Sequence, residues 1–252
     1  MGGQRREIIL DILREKGYVN LHALEEMFPD VSSMTLRRDI EFLENIGEAA
    51  KVRGGAKYIG NRTDVEDVYE LREVRNRAAK EKIAAAALRY AETGCSMFID
   101  SGTTGMIFAK ALPDTPYYIL TSGPNVACEL AKRFKPSVTI VGGQVSRNTL
   151  SVSGGQSLDF IRNFNIEIAF LAASAFSVEN GFTVGNADEC ELKKAVVAKA
   201  KKKIVLCDSA KLEKSMPFTF ASLEDIDIII TEREPDKAVL AAAEASGTEI
   251  VW

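Results

Sequence analysis

The stretch Val31-Ser32-Ser33-Met34-Thr35-Leu36-Arg37-Arg38-Asp39-Ile40, followed by Val52-Arg53-Gly54-Gly55-Ala56, decides how this chain is read. Ser32 is a good N-cap, so a helix is expected to start there, run to about Ile46 and stop at Gly47. Leu36, Ile40, Leu43 and Ile46 recur at helical spacing and define one apolar face. Ser33, Arg37, Arg38 and Glu41 point away from that face. A helix of this size fits the major groove of DNA, with its N-terminal half toward the base edges. Arg37 or Arg38 could donate two hydrogen bonds to a guanine, and Ser33 and Thr35 could bond phosphate oxygens. Asp39 is better placed to orient an arginine than to face a negative duplex.

On either side lie the parts such a helix needs. Ile8, Ile9, Ile12 and Leu13 form the stripe of a first helix, ended by Gly17-Tyr18-Val19-Asn20. Leu21 to Met27 reads as a second helix, closed by Pro29-Asp30. Ala50 to Arg53 and Ala56 to Ile59 read as strands flanking a Gly54-Gly55 turn, because primed hairpin turns require positive φ. This hairpin would carry Lys51, Arg53 and Lys57 to the duplex, with Arg5 and Arg6 as additional phosphate contacts. A winged helix-turn-helix is therefore expected over residues 1–60 and a polar linker over 61–75.

Charge bounds this reading. The chain has 252 residues and a formal net charge of -4, so any nucleic-acid contact must come from a local basic surface. Residues 1–60 hold nine Lys/Arg and ten Asp/Glu, so folding must gather the cations on one side. The four cysteines form no CxxC pair and fit reduced thiols packed in a core. With His22 as the only histidine, neither a zinc site nor a Ser-His-Asp triad is expected. No apolar run spans a membrane, and no signal-peptide core follows Arg5-Arg6, so a cytoplasmic protein without metal or cofactor is expected.

From Asn76 the pattern changes. A helix over Arg77 to Ala91 leads to a strand over Ser96 to Asp100. Further strands are expected at Tyr117–Thr121, Ser137–Val141, Ile166–Ala172, Lys203–Cys207, Asp227–Thr231 and Glu249–Val251. Helices are expected at Gly105–Leu112, Pro124–Phe134, Gln156–Phe164, Ala187–Ala200 and Pro235–Ala245. Alternation of this kind predicts an α/β domain over 76–252, a mostly parallel Rossmann-like sheet covered on both faces.

Ligands of such sheets bind at the carboxyl ends of the strands. There, Ser101, Thr103 and Thr104 hydroxyls and the N–H groups of the next helix could cradle a phosphate, and Gly102 permits the tight turn. Asp100 could accept from sugar hydroxyls. A plain helix cap explains this loop equally well. Thr121-Ser122-Gly123, Gly142-Gly143 and Asp208-Ser209-Ala210-Lys211 should converge on the same edge. Lys211, or alternatively Lys193, could supply the charge a phosphate requires. Lys199 and Lys201 to Lys203 sit where cations favour a helix C-terminus.

The capped helix, the Arg37-Arg38-Asp39 triplet, Leu43, Gly47 and the wing glycines at their spacing closely resemble the signature of DeoR-type transcriptional regulators. The resemblance extends over nearly the whole chain. It implies a sensor domain similar to the ribose-phosphate isomerase and CoA-transferase fold. The implied sugar-phosphate pocket comprises Asp100, Ser101, Gly102, Thr103, Thr104, Thr121, Ser122, Arg147, Gly154, Lys193, Asp208 and Lys211. DNA contacts would come from Ser33, Thr35, Arg37, Arg38, Lys51, Arg53, Gly54 and Gly55. Departures from the family pattern are the long turn Phe28 to Val31, Arg53 for a common histidine, no asparagine after Thr121, and Ala172 and Ala175 where glycines are usual.

The expectation is a repressor of a sugar-catabolism operon, binding operator DNA as a homodimer or homotetramer and controlled by a phosphorylated sugar. The alternative is a sugar-phosphate isomerase whose N-terminal segment serves only association. Against an enzyme stands the absence of histidine from 76–252.

Overall fold

The computed structural model describes residues 2–46, 48–58 and 69–252, and the chain falls into two compact units, 1–75 and 76–252. The first unit runs α1 (Gly2–Lys16), β1 (Tyr18–Asn20), α2 (Leu21–Met27), α3 (Ser33–Asn45), β2 (Ala49–Val52), β3 (Gly55–Tyr58) and α4 (Tyr69–Val74). Its strands form an antiparallel sheet in the order β1-β3-β2. Ile9, Leu10 and Leu13 of α1, Leu24 of α2 and Leu36, Ile40 and Leu43 of α3 share one core with Val19, Ala49 and Ala56. This is a three-helix winged helix-turn-helix. As Ser32 promised, its side chain accepts from the Thr35 N–H at the start of α3.

Three expectations change. Tyr18-Val19-Asn20 is a strand, exposed, buried and exposed in turn, rather than a helix-ending turn. Val52 pairs with Gly55, so the hairpin turns at Arg53-Gly54, one residue earlier than Gly54-Gly55. Gly54 supplies the positive φ of +86°, while a side chain on Gly55 would strike the Val19 carbonyl of β1. The two glycines thus serve a turn and a close approach respectively. The end of the expected linker is also structured, since α4 packs on α1 with Leu71 buried in the common core. Gly47, Ile59 and positions 61–68 of that linker lie outside the described residues.

The second unit begins with α5 (Arg77–Ala87), β4 (Ser96–Ile99), α6 (Thr103–Ala111), β5 (Tyr118–Thr121), α7 (Pro124–Leu130) and β6 (Ser137–Ile140). It continues with β7 (Gln144–Val145), β8 (Val152–Ser153), α8 (Gly155–Arg162), β9 (Ile168–Ala172), β10 (Ala175–Ser177), β11 (Gly181–Val184) and α9 (Ala187–Lys199). The chain ends with β12 (Lys202–Leu206), β13 (Phe218–Ala221), β14 (Ile228–Ile230), α10 (Lys237–Ser246) and β15 (Glu249–Val251). Seven strands form a parallel sheet in the order β15-β14-β12-β9-β4-β5-β6.

Successive strand residues alternate between two cores, as the strand period requires. Met97, Ile99, Phe170, Ile204 and Leu206 face one core with Ile83 of α5, Phe108 of α6 and Leu130 of α7. Phe98, Ala169, Leu171 and Val205 face the other, with Ile161 of α8, Val196 of α9 and Val239 of α10. Both faces are covered, which is why these strands read as continuous apolar runs. A small antiparallel sheet, β10-β11-β13, and the β7–β8 hairpin were not foreseen.

The strand order sets the location of the site. From β4 the chain moves outward through β5 to β6, then returns across β4 to β9 and moves outward the other way. The order therefore reverses between β4 and β9, and the crevice at such a switch point is where open α/β sheets bind ligands.

Candidate DNA interface and effector site

On α3, Arg37 and Arg38 are exposed and enter no ion pair among the described residues. Both lie close enough to Glu41, together with Lys51 of the wing, to hold its carboxyl below the usual range. The Lys51 hydrogen bond is the main cause. The two arginines therefore share a surface with the wing. The other expected contacts differ in how free they are. Lys51 Nζ lies 2.9 Å from Glu41, and its backbone N–H donates to Glu44. Ser33 directs its hydroxyl to Glu25 at 2.5 Å, and Thr35 shares a hydrogen bond with Ser32. Arg53 and Gly54 are exposed at the wing tip, whereas Gly55 is buried in the sheet and presents nothing to a duplex.

Arg5 and Arg6 are not outward phosphate contacts. Asp39 is 1% exposed, and Arg5 Nε (2.5 Å) and Arg6 Nε (2.8 Å) take one oxygen each. Arg6 also stacks on Phe42 at 4.1 Å. Asp39 does orient arginines, as its position suggested, but they are those of α1. This clamp fixes the reading helix to its support.

At the switch point, Asp100 follows β4 and is 1% exposed. Its Oδ1 accepts from the Ser101 N–H (2.9 Å) and the Ser122 hydroxyl (3.4 Å). Its Oδ2 accepts from the Ala172 N–H (2.8 Å) and from Lys193 Nζ. A carboxylate offers about four acceptor directions. All are taken, leaving none for the sugar hydroxyls expected to meet Asp100. Lys193 is equally closed: it is 1% exposed, donates to the Ala172 carbonyl and lies 3.3 Å from Glu189. Between two carboxylates it has no positive charge left for a phosphate.

Lys211 differs. Its side chain is 21% exposed, donates to the Ala173 carbonyl at 2.7 Å and approaches Asp208 only to 3.9 Å. Asp208 is buried after β12 and receives a 3.0 Å hydrogen bond from Asn76, a residue the sequence reading passed over. Nearby, burial works to raise Glu232, but donors from Ser209 outweigh it and the carboxyl ends below its usual range.

The remaining positions surround this center. Ser101, Thr103, Thr104, Thr121 and Ser122 are all buried. Thr121 Oγ1 accepts from the Gly123 N–H, and the Ser122 carbonyl accepts from Val152 of the unforeseen hairpin. Two buried hydroxyls, Thr104 in the first turn of α6 and Ser151 beside Val152, have no hydrogen-bond partner among the described residues. A buried polar group left so costs about 1–3 kcal/mol. Gly154 opens α8 with φ +113°, and Arg147 is exposed between β7 and β8 without contact to the Asp100 cluster among the described residues. The methyl of Ala172 lies 3.2 Å from where a Cβ on Gly102 would stand, so the two residues pack closely at the switch point.

Elsewhere, burial pushes the Cys207 thiol up to about 12. Cys95 and Cys190 are also buried, while Cys128 is exposed, contrary to the expected core position. Among the described residues no cluster could hold a metal ion, and no helix is long and apolar enough to cross a membrane.

Residues 5–62 match the DeoR-like helix-turn-helix domain, and residues 75–233 match the DeoR C terminal sensor domain. The HTH-type transcriptional regulator GlpR of Haloferax volcanii is 31% identical over 249 residues, covering 98% of this chain and 96% of its own. The HTH-type transcriptional regulator IolR of Bacillus subtilis is 32% identical over 221 residues, 87% of each chain. Among solved structures, ribose 5-phosphate isomerase A of Methanocaldococcus jannaschii aligns over 54% of this chain and 55% of its own, at 17% identity and TM-score 0.41. A sensor-domain match over more than half of the sequence, joined to full-length relatives above 30% identity, makes the assignment: the chain belongs to the DeoR family of transcriptional regulators.

Proposed function

We propose that this regulator represses a sugar-catabolism operon in the cytoplasm and is released from its operator by a phosphorylated sugar. Base contacts come from Arg37 and Arg38, which stand free on α3 beside the wing. That freedom is the observation that carries the DNA reading. Arg53 and the Gly54 tip add backbone contacts, and Ser33 and Thr35, at the N-terminus of α3 where anions are favoured, reach a phosphate by exchanging their bonds to Glu25 and Ser32. A single small reading head offers modest affinity, so the operator-bound form is a homodimer or homotetramer with half-sites about one helical turn apart.

The effector lies at the carboxyl ends of β4, β5, β9 and β12. Lys211 supplies the cation for its phosphate, and the unpartnered hydroxyls of Thr104 and Ser151 supply donors. Ser101 to Thr104 and Ser122 frame the ligand, with Arg147 and Gly154 at the periphery. Asp100 and Lys193 hold the frame rather than the ligand. The same mutual neutralisation speaks against an isomerase, whose acid-base chemistry needs groups free to exchange a proton with substrate.

The test is a gel-shift with DNA from upstream of the gene's own operon, repeated across a panel of sugar phosphates. Affinity is expected to fall by orders of magnitude between about 50 and 200 mM salt. An affinity insensitive to salt, or a complex indifferent to every sugar phosphate, defeats the proposal.

A further inference from the structure

We infer that Asn76 is the residue through which effector binding in the 76–252 unit acts on the chain leading into the DNA-reading unit. This rests on the effector reading above. Asn76 occupies the N-cap position of α5 but makes no side-chain cap bond, and it holds φ +52°, a left-handed conformation that asparagine adopts more readily than most residues other than glycine. Its amide instead donates to Asp208 Oδ1 at 3.0 Å, across 132 positions of sequence. A residue that leaves its local cap unmade and directs its amide to one distant contact is positioned by that contact.

The contact leads to the switch point. Asp208 stands between Asn76 and Lys211, 3.9 Å from the latter, and Lys211 donates to Ala173 just after β9. Asn76, Asp208, Lys211 and Ala173 thus form a continuous series of polar contacts. On its other side Asn76 is separated from α4 by Arg75 alone, and α4 is packed into the core of the reading unit.

Lys211 has two arrangements available. Without effector it is shared between Asp208 and the Ala173 carbonyl. With effector it turns to the phosphate, a stronger partner than a carboxylate at 3.9 Å. Asp208 is 2% exposed and cannot turn to water, so it then leans on Asn76, its other partner among the described residues. The junction at 75–76 shifts with it, and α4 is the next element along the chain.

The test uses the full chain as wild type, Asn76→Ala, and the swap Asn76→Asp with Asp208→Asn, which exchanges donor and acceptor. Two readouts are taken. Trypsin cleavage after Arg75 or Arg77 reports local opening of the junction. It should be about tenfold faster in Asn76→Ala, the worth of one hydrogen bond to a charged group, and should return toward wild type in the swap. Operator release is then measured with ribose 5-phosphate, glucose 6-phosphate and fructose 1-phosphate as separate probes, with probe binding followed by calorimetry. Asn76→Ala should bind probe and ligand-free operator as wild type does, yet lose most of the probe-induced release, and the swap should recover it. Unchanged cleavage, or full release in Asn76→Ala, overturns the inference while leaving the effector reading intact. A wild-type chain that binds none of the three probes overturns both.

Discussion

Each unit of this molecule contains an aspartate that is 1% exposed and ion-paired, Asp39 with two cations and Asp100 with one, and the two differ in how completely those cations are enclosed. In the reading unit Asp39 is held by Arg5 and Arg6, whose side chains remain 14% and 29% exposed. In the sensor unit Asp100 is held by Lys193, whose side chain is 2% exposed and also borders Glu189. In both places the sequence offers basic residues that look suited to phosphate, and in both the fold assigns them to a carboxylate of its own. Among the described residues named as contacts, Arg37, Arg38 and Arg53 in one unit form no ion pair, and in the other Lys211 and Arg147 are less enclosed than Lys193.

The sharpest way to break this comparison is to remove each aspartate. Asp100→Ala leaves the buried Ala172 N–H without its acceptor and takes from the buried Lys193 ammonium one of its two carboxylates, which is expected to cost about 3–5 kcal/mol. Asp39→Ala should cost less, about 1–3 kcal/mol, because the freed arginine heads can reach water. Urea unfolding of the full-length variants measures both. Equal losses would mean that the exposure of the partners does not matter, and the contrast drawn here would fail.

Next in size is the reading surface. Arg37→Ala and Arg38→Ala should each weaken operator binding by about 1–3 kcal/mol when the arginine serves a guanine, with thermal stability unchanged. Anisotropy with a labelled operator and a melting curve on the same sample separate the two effects. A loss of stability equal to the loss of binding would return these arginines to the class of Arg5 and Arg6.

A comparable test divides the two lysines. Lys211→Ala should reduce sugar-phosphate affinity about tenfold or more while the fold persists, the loss of one charge-assisted contact. Lys193→Met should instead lower stability, because it strands Asp100. Calorimetric titration beside denaturant unfolding distinguishes them. A Lys193 variant that keeps its stability but loses the ligand would invert the assignment.

These contrasts also show what could be read before any coordinates. Most helices and the parallel strands were legible because the helices repeat their apolar residues at a regular period and the central strands are continuous apolar runs between helices. The strands Tyr18-Val19-Asn20 and Ala175-Phe176-Ser177 are three residues long and carry too little pattern to separate from a turn. The wing register was displaced by one because both glycines look like turn residues, and only the neighbouring strand β1 reveals that Gly55 serves a close approach. At the site, sequence order placed Asp100, Ser122, Lys193 and Lys211 on one edge. It could not tell a ligand's cation from a carboxylate's, since that depends on contacts as distant as the 93 positions between Asp100 and Lys193. Asn76 carried no signal of its contact with Asp208, being one polar residue before a helix. The only available hint was that a natural N-cap stood there with nothing else to mark it.

The smallest effect concerns the wing and applies the same distinction to a single hairpin. Arg53 stands at the tip in no ion pair among the described residues, while Lys51, two positions earlier, already faces Glu41 at 2.9 Å. Counterion release counts only the charge that a residue newly brings to a phosphate. Arg53→Ala should therefore flatten the dependence of log affinity on log salt by about 0.9, one phosphate contact. Lys51→Ala should change it by much less, because the duplex must first compete with Glu41 for that ammonium. Adding Glu41→Gln to the wild-type background should then strengthen DNA binding and steepen the slope, by releasing Lys51 and removing a negative charge beside Arg37 and Arg38. If Lys51→Ala and Arg53→Ala alter the slope equally, Glu41 does not hold its lysine against DNA, and exposure alone, rather than pairing, decides which cations read the operator.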